Sequence, residues 1–139
     1  MLVFSLLYQL SQQMTKTQIL VIDDEEIILK SIKRILRNEN YELLCAQDGL
    51  AGLELFEKND PVVIVLDLMM PQMDGFETTR IIRELEAKQK TNTPIPIVAI
   101  TAKAMKDDRQ KCIDVGMNEF ITKPILMKDL KEALLKFDL

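Results

Sequence analysis

Histidine is absent from the 139 residues of this chain. Its absence excludes Ser/His/Asp and Cys/His catalysis, zinc or iron sites built on histidine, and a phosphohistidine formed on the chain itself. Cysteine is scarce, with only Cys45 and Cys112 and no CxxC pair. Because both thiols lie within or beside apolar patterns, the sequence predicts reduced cysteines and a cytoplasmic location, and a disulfide is the less favoured alternative.

Hydrophobic runs long enough to cross a membrane are also missing. Residues 1–10 are mostly apolar, but they amount to about half of the roughly twenty residues that a membrane-spanning helix needs. They lack the basic leader and the small-residue cleavage site of a secretory signal. Residues 1–17 are therefore predicted to form an N-terminal extension, a short or frayed helix packed on the domain or on a second copy. A membrane-surface helix is the less favoured alternative, because residues 1–10 contain no Lys or Arg.

Clustered positive charge is missing as well. Lys and Arg number 18 against 22 Asp and Glu, and the net charge is −4. This balance argues against direct binding of nucleic acid, because phosphate backbones are bound by clustered Lys and Arg. Hydrophobic residues make up 47% of the chain and charged residues 29%, as in ordinary globular domains. Residues 18–139 are predicted to form one such domain.

From residue 18 onward, strand and helix patterns alternate. Short apolar runs predict five strands, at Gln18–Ile22, Tyr41–Ala46, Val62–Leu66, Ile97–Ile100 and Phe120–Thr122. Helical spacing of apolar residues predicts five helices, at Glu25–Asn38, from Asp48-Gly49 to about Lys58, at Gly75–Lys88, at Lys106–Val115, and over a stripe of Leu126, Leu130 and Leu134. Repeated β-α units with right-handed crossovers form a parallel sheet covered by helices on both faces. The predicted fold is therefore α/β, a flavodoxin-like doubly wound sheet of five strands in the order 2-1-3-4-5.

Polar residues stand where four of the apolar runs stop. They are Asp24, Asp67, Thr101 and Lys123. Ligands of open α/β sheets bind just outside the carboxyl ends of the strands. The sequence therefore predicts one polar site at one edge of the sheet.

Asp23, Asp24 and Asp67 are predicted to converge at that edge, because strands one and three are neighbours in this strand order. Three carboxylates a few ångströms apart repel one another, so the cluster makes physical sense with a cation between them. Mg²⁺ fits best, since it prefers carboxylate, carbonyl and water oxygens and leaves positions for phosphate. For Asp23-Asp24 alone, a solvated helix N-terminus is the open alternative.

Asp67 closes a strand that has no other polar residue. A carboxylate in that position can attack phosphorus and form an acyl phosphate. Lys123 can stabilise the charge that develops, and Thr101 offers a hydroxyl to a phosphoryl oxygen. Singly, Thr101 and Lys123 are weak signals, but the chain order Asp-Asp, Asp, Thr, Lys at successive strand ends indicates phosphoryl transfer.

Four motifs of the chain are similar to those of one family. They are Ile19–Glu25 (ILVIDDE), Asp67–Gly75 (DLMMPQMDG), Ala99–Ala102 (AITA) and Thr122–Pro124 (TKP). From about Gln18 to Phe137 the chain resembles the receiver domain of two-component response regulators. The stretch from Ile97 to Met117 looks most like the receivers of hybrid sensor histidine kinases.

The resemblance implies a phosphoacceptor and a set of metal ligands. Asp67 would be the phosphoacceptor. Mg²⁺ would be bound by Asp24, by Asp67 and by the carbonyl of Met69, with Asp23 holding the ion through water. These assignments agree with the Mg²⁺ site predicted from the carboxylates themselves.

The resemblance also implies a switch and a control on dephosphorylation. Thr101 and Phe120 would move together on phosphorylation, and Phe120 has no hydroxyl with which to make a hydrogen bond when it turns inward. The Lys123-Pro124 bond would be cis. Met69 and Lys103 resemble gatekeepers for the hydrolytic water, and an apolar Met69 predicts slow loss of phosphate.

Partners follow from the same resemblance. The phosphodonor would be a phosphohistidine on a histidine kinase or a histidine phosphotransfer domain, in another domain or chain because this one has no histidine. The chain would catalyse its own phosphorylation and dephosphorylation rather than act as an enzyme on a separate substrate. A histidine kinase parent is left open, as is a homodimer. No effector sequence follows the last predicted helix, so we expect signalling through docking or return phosphotransfer.

Phosphatases of the haloacid dehalogenase type are the rival prediction. They also use an aspartyl phosphate, a downstream Thr or Ser, a Lys and Mg²⁺ on a doubly wound sheet. In those enzymes a second Asp, two residues after the nucleophile, is the general acid. Met69 occupies that position here, so the proton donor is missing. A flavin- or nucleotide-binding module is weaker still, because no Gly-rich phosphate loop follows strand one.

Overall fold

Five parallel strands form one sheet at the centre of the computed structural model, which describes residues 2–7, 16–89, 93–102 and 106–139. In chain order the strands are β1 (Thr17–Ile22), β2 (Tyr41–Ala46), β3 (Val63–Asp67), β4 (Ile97–Thr101) and β5 (Glu119–Thr122). They lie in the order β2-β1-β3-β4-β5, and every pairing is parallel. The predicted sheet and its strand order are confirmed.

Helices surround the sheet. After a short helix α1 at residues 2–7, the helices are α2 (Glu26–Ile35), α3 (Gly49–Lys58), α4 (Gly75–Lys88), α5 (Lys106–Val115) and α6 (Met127–Leu135). The last five correspond to the five predicted helices. All residues of α1 are exposed, so the predicted packing of this helix on the domain is not observed.

The boundary between the extension (1–17) and the domain (18–139) stays a prediction, and residues 1 and 8–15 lie outside the described part of the chain. Within the described part, no helix has both the length and the apolar character needed to span a membrane.

The hydrophobic core lies on both faces of the sheet. On one face, Ile32 of α2 and Leu130 of α6 pack against the strands. On the other face, Leu53 of α3, Ile82 of α4 and Cys112 of α5 do the same. Because both faces are covered, the carboxyl ends of the strands are left as the place where polar groups can gather.

Local sequence signals fix the ends of three helices. Asp48 caps α3 by accepting the N–H of Ala51 at 2.8 Å, and Asp74 caps α4 by accepting the N–H of Glu77 at 2.9 Å. These carboxylates satisfy backbone donors that a helix N-terminus leaves unpaired. Gly116 follows α5 with a φ of +106°, the left-handed conformation that glycine adopts without steric cost. The predicted start of α4 and the predicted end of α5 are confirmed.

Strand boundaries differ slightly from those predicted. Val62 is 40% exposed and precedes β3, whereas Asp67 pairs in register with Ile100 and belongs to the strand. Three further strands extend one residue beyond the apolar runs, to Thr17, Thr101 and Glu119. Ladder hydrogen bonds do not depend on whether a side chain is apolar, so polar residues at the ends of the runs pair as well. Asp67 and Thr101 are therefore the last paired residues of their strands, and the ladder fixes their backbones.

Two helix predictions are corrected. The helix predicted over Glu25–Asn38 ends earlier, at Ile35, because Leu36 leaves the helical conformation with φ −98° and ψ 8°. Leu126, predicted to lie on the inward stripe of α6, is its N-cap and is 56% exposed. Its extended backbone precedes the first turn, so its side chain does not align with the two buried leucines of that stripe.

Candidate functional site

Four polar residues meet at the edge formed by the carboxyl ends of the strands. Asp67 and Thr101 are the last residues of β3 and β4, while Asp23 and Lys123 directly follow β1 and β5. The acidic oxygens that lie within 4.8 Å of one another belong to Asp23, Asp24, Glu25 and Asp67. The structure therefore brings the three predicted aspartates together and adds Glu25, which had no predicted role.

The two buried aspartates are held in the same way. Asp23 Oδ1 accepts the N–H of Glu25 at 2.8 Å, and Asp67 Oδ1 accepts the N–H of Met69 at 3.2 Å. In each case a carboxylate caps the backbone two residues further on, as aspartates do in turns. The other oxygen, Oδ2, is buried in both residues and has no hydrogen-bond partner among the residues that the structure describes. Such atoms are rare in folded proteins, so these two oxygens mark the position at which a ligand can bind.

Among the described residues, Lys123 is the cation of the site. Its Nζ lies 2.8 Å from Glu25 Oε1, 3.5 Å from Asp67 Oδ2 and 3.6 Å from Asp23 Oδ2. Its backbone is fixed by an N–H donated to Thr101 O at 2.8 Å. One ammonium thus faces three carboxylates, and their charges exceed what it can neutralise.

The electrostatics of the site reflect this excess. Burial raises the pKa of Asp67 to about 7, the charge of Asp23 adds to the rise, and Lys123 opposes it. Burial also raises the pKa of Asp23, against the N–H that Glu25 donates to it. Burial lowers the pKa of Lys123, but the hydrogen bond to Glu25 and the charges of the two aspartates outweigh it, so that pKa is raised. The lysine therefore stays protonated, and ionising the two aspartates in the folded protein costs free energy.

The residues at this edge fit a magnesium ion. The Oδ2 atoms of Asp23 and Asp67 are unpartnered acceptors, and Asp24 adds an exposed carboxylate within the same cluster. Oxygen donors of this kind are the ligands that Mg²⁺ prefers, and the cluster contains no thiolate or imidazole that would favour zinc. Besides burial, the charge of Asp23 raises the pKa of Asp67, and a divalent cation here would offset that repulsion.

Met69 stands at the rim of the site. Its backbone N–H donates to Asp67, but its side chain is 72% exposed. An exposed thioether is neither an acid nor a base, so the general acid that a haloacid dehalogenase phosphatase needs at this position is absent. The phosphatase prediction is therefore not favoured. The second predicted gatekeeper, Lys103, lies outside the described residues.

The two predicted switch residues lie on adjacent strands. Thr101 is 6% exposed, and Phe120 pairs in register with Ala99 one strand away. Phe120 is half-buried, and the guanidinium of Arg109 lies 4.3 Å from the centre of its ring, within the range of a cation–π interaction. The Lys123-Pro124 bond is cis, as the resemblance implied.

Three residues at or near the site were not assigned a role from sequence. Glu25 bonds to Lys123 across 98 positions of the chain, a separation that no local pattern reveals. Gly75 lies so close to β3 that a Cβ there would be 2.5 Å from the carbonyl oxygen of Asp67. The Asp74-Gly75 pair at the start of α4 was the available signal for this close approach. Arg109 had no signal beyond its charge.

Comparison with known proteins gives a consistent result. Residues 19–135 match the family model of the response regulator receiver domain. Hybrid signal transduction histidine kinase B of Dictyostelium discoideum is 36% identical over 126 residues, which cover 86% of this chain and 6% of that kinase. Response regulator MprA of Mycobacterium sp. (strain KMS) is 34% identical over 113 residues, covering 81% of this chain and 46% of that protein. The chain therefore spans less than half the length of these relatives.

A solved structure agrees in fold. The receiver domain of sensor histidine kinase PA1611 from Pseudomonas aeruginosa PAO1 superposes with a TM-score of 0.76 at 29% identity. The superposition covers 88% of this chain and 98% of that domain, which holds a magnesium ion coordinated in its active site cleft. With the family-model match extending over most of the sequence and the strand order and acidic edge in agreement, the chain belongs to the response regulator receiver domain family and is a receiver domain of a two-component phosphorelay.

Proposed function

We propose that Asp67 is the residue of this receiver that accepts the phosphoryl group. The observation that supports it most is the state of Asp67 Oδ2. This buried oxygen has no hydrogen-bond partner in the described part of the chain and lies 3.5 Å from the ammonium of Lys123. Asp67 is also the last paired residue of β3, so the ladder fixes its backbone, and the N–H of Met69 holds its carboxylate. A carboxylate so placed can form an acyl phosphate, and the adjacent cation stabilises the charge that gathers on the phosphoryl oxygens.

The donor is a phosphohistidine on a histidine kinase or a histidine phosphotransfer domain. In the transfer, an Asp67 oxygen bonds to phosphorus while the nitrogen–phosphorus bond breaks, and the imidazole nitrogen keeps the electron pair. Lys123 donates to one phosphoryl oxygen and the Thr101 hydroxyl to another. When bound, Mg²⁺ supplies positive charge to the phosphoryl oxygens, and the residues that would hold it are Asp23, Asp24, Asp67 and, through its carbonyl, Met69.

The same machinery serves a receiver that catalyses its own phosphorylation and dephosphorylation in the cytoplasm. Two features support that location. Cys45 and Cys112 are free thiols, and they pack on opposite faces of the sheet, so they cannot pair with each other. Unpaired thiols are typical of reducing compartments.

Phosphorylation changes the charge at Asp67 and thereby the balance between two conformers of the β4–β5 edge. Thr101 is drawn toward the phosphoryl oxygens, and Phe120, one strand away, follows it. Arg109 contacts the ring of Phe120, so a movement of this ring is transmitted to the surface of α5. The receiver then signals by population shift rather than by refolding.

Incubation with acetyl phosphate and Mg²⁺ tests the assignment of Asp67. We expect the intact mass to increase by one phosphoryl group, and the increase to disappear when EDTA is added. Borohydride reduces an acyl phosphate to an alcohol, so peptide mapping after reduction should find homoserine at position 67. Homoserine at another acidic position, or a chain that takes up no phosphate, would contradict the assignment.

The lifetime of the phosphorylated form depends on Met69. Its exposed, apolar side chain cannot orient a hydrolytic water, whereas an amide at this position could. We expect Met69→Asn to shorten the phosphorylated half-life about three- to tenfold, the range that one added hydrogen bond supplies. Decay of the phosphorylated mass measures the half-life, with Met69→Leu as the apolar control that should match the wild type. A Met69→Asn half-life equal to or longer than that of the wild type would show the prediction to be wrong.

A further inference from the structure

Lys123 forms a bridge across the site. Its side chain starts after β5, passes 3.5 Å from Asp67 Oδ2 and makes its hydrogen bond with Glu25 Oε1 at 2.8 Å, beyond the end of β1. The Lys123 side chain is 17% exposed and that of Glu25 is 53% exposed. The shortest contact of the ammonium is therefore with the most exposed of the three carboxylates that it faces.

Burial alone would favour a different partner for the ammonium of Lys123. An unpaired buried charge costs more free energy than an unpaired exposed one, so a freely moving ammonium would approach Asp23 or Asp67. Instead, no described residue forms a hydrogen bond with the Oδ2 atom of either aspartate. Glu25 is the N-cap residue of α2, and its N–H is bound to Asp23 Oδ1 at 2.8 Å. The backbone of Glu25 is thus fixed, and its carboxylate attracts the ammonium of Lys123 away from the two buried aspartates.

We propose that Glu25 is a positioning residue that holds Lys123 in this bridge while Asp67 is unphosphorylated, and that release of the bridge limits how fast Asp67 takes a phosphoryl group. The inference rests on the proposed role of Asp67. Asp67 Oδ2 is buried, and a donor phosphorus that approaches it needs the space beside it that the ammonium occupies. After transfer, the ammonium is needed on a phosphoryl oxygen, so Glu25 has to give it up.

Glu25→Gln tests the bridge, because it keeps the size of the side chain and removes its charge. At saturating Mg²⁺, we expect the maximal rate of phosphorylation by acetyl phosphate to rise about two- to fivefold, the worth of one partly exposed ion pair. The maximal rate is the informative quantity. Loss of a surface charge by itself changes the attraction of an anionic donor, and that effect is seen in the half-saturating concentration.

Two control variants separate the bridge from the charge. Glu25→Asp keeps the charge but shortens the reach, and it should also raise the maximal rate. Glu26→Gln removes a charge from the next residue, whose carboxylate lies 3.6 Å from Lys30, and it should leave the maximal rate unchanged. Acceleration by Glu26→Gln equal to that of Glu25→Gln, or a wild-type rate for Glu25→Asp beside a faster Glu25→Gln, would mean that charge alone acts and would overturn the inference.

A double-mutant cycle examines the bridge without phosphorylation. The folding equilibrium constants of metal-free wild type, Glu25→Gln, Lys123→Gln and the double variant should show a coupling of about two- to fivefold. A cycle without coupling would overturn the inference. The proposed function fails separately, if wild type takes up no phosphate at Asp67. If wild type is phosphorylated and Glu25→Gln is no faster, only the bridge is wrong.

Discussion

Replacing Asp67 with asparagine should stabilise the metal-free protein at pH 8. Asp67 is 1% exposed, and burial together with the charge of Asp23 raises its pKa to about 7. In an unfolded chain the pKa of an aspartate is about 3.9, so keeping Asp67 ionised in the folded state at pH 8 costs at most about 4 kcal/mol. Asparagine has nearly the same shape and no charge. The variant should recover part of this free energy, in which the opposing attraction of Lys123 is already included.

The gain should grow with pH. A carboxyl group whose pKa is raised on folding binds its proton more tightly in the folded state than in the unfolded state. The contribution of Asp67 to the free energy of unfolding of the wild type is therefore fully present below about pH 4. It falls as the pH rises to about 7 and does not change further above that pH. The amide of the Asp67→Asn variant does not titrate, so the difference between the two proteins should vanish near pH 4. The pKa of Asp23 is raised as well, chiefly by burial, so the stability of both proteins also falls with pH through that group.

Denaturant unfolding in EDTA at several pH values measures this difference. Asp114→Asn, which removes an exposed carboxylate from α5, is the control and should follow the wild type at every pH. Adding Mg²⁺ should stabilise the wild type more than Asp67→Asn, because an ion that binds only the folded state adds stability in proportion to its occupancy. Wild type and Asp67→Asn of equal stability at pH 8 would show that Asp67 is not held ionised at a cost.

The fold could be predicted because β3 and β4 are buried along their whole length. Strands covered on both faces read as continuous apolar runs, and such runs mark a doubly wound sheet. The boundaries were less predictable for the same reason. Asp67 and Thr101 are polar, so the runs stop before them although the ladder continues. At Leu126 the prediction erred in the opposite direction and included too much. Its spacing fits a helical stripe, but its backbone lies before the helix.

The predictable part of the site consists of polar residues that stand at the end of a strand or directly after it. Asp23 and Asp67 lie at or next to strand ends, and strand order alone places them side by side. The position of Lys123 was predictable in the same way, but its partner was not. Its contact with Glu25 depends on how far the two side chains reach across the edge of the sheet. Neither hydrophobic periodicity nor composition indicates such a contact. Gly75 belongs to the motif that begins at Asp67, but its close approach to Asp67 results from packing, which the motif does not indicate.

Gly75→Ala should lower the free energy of unfolding by about 2 kcal/mol and slow phosphorylation. A Cβ at this position would lie 2.5 Å from the carbonyl oxygen of Asp67 and 2.9 Å from Cα of Leu68. Both atoms belong to the backbone and cannot turn aside, so the start of α4 would have to move away from β3. That movement would strain the bond between Gly75 N–H and Leu68 O, now 3.0 Å. The higher helix propensity of alanine offsets up to about 1 kcal/mol of the cost.

Gly49→Ala is the matched control, because its Cβ would meet side chains instead of backbone, with Met73 Sδ at 2.8 Å and Thr78 Oγ1 at 2.7 Å. Met73 can change rotamer, but Thr78 is buried and its hydroxyl donates to Asp74 O at 2.8 Å. We therefore expect a loss of stability comparable to that of Gly75→Ala, with a phosphorylation rate near that of the wild type. Rates are compared per folded molecule, with the folded fraction taken from the same unfolding curves. Gly75→Ala should then still be slow, since Leu68 N–H is bound to Ile100 O at 2.9 Å and a shift at this point alters the turn that orients Asp67. A Gly75→Ala protein that phosphorylates at the wild-type rate per folded molecule would mean that the close contact serves packing only.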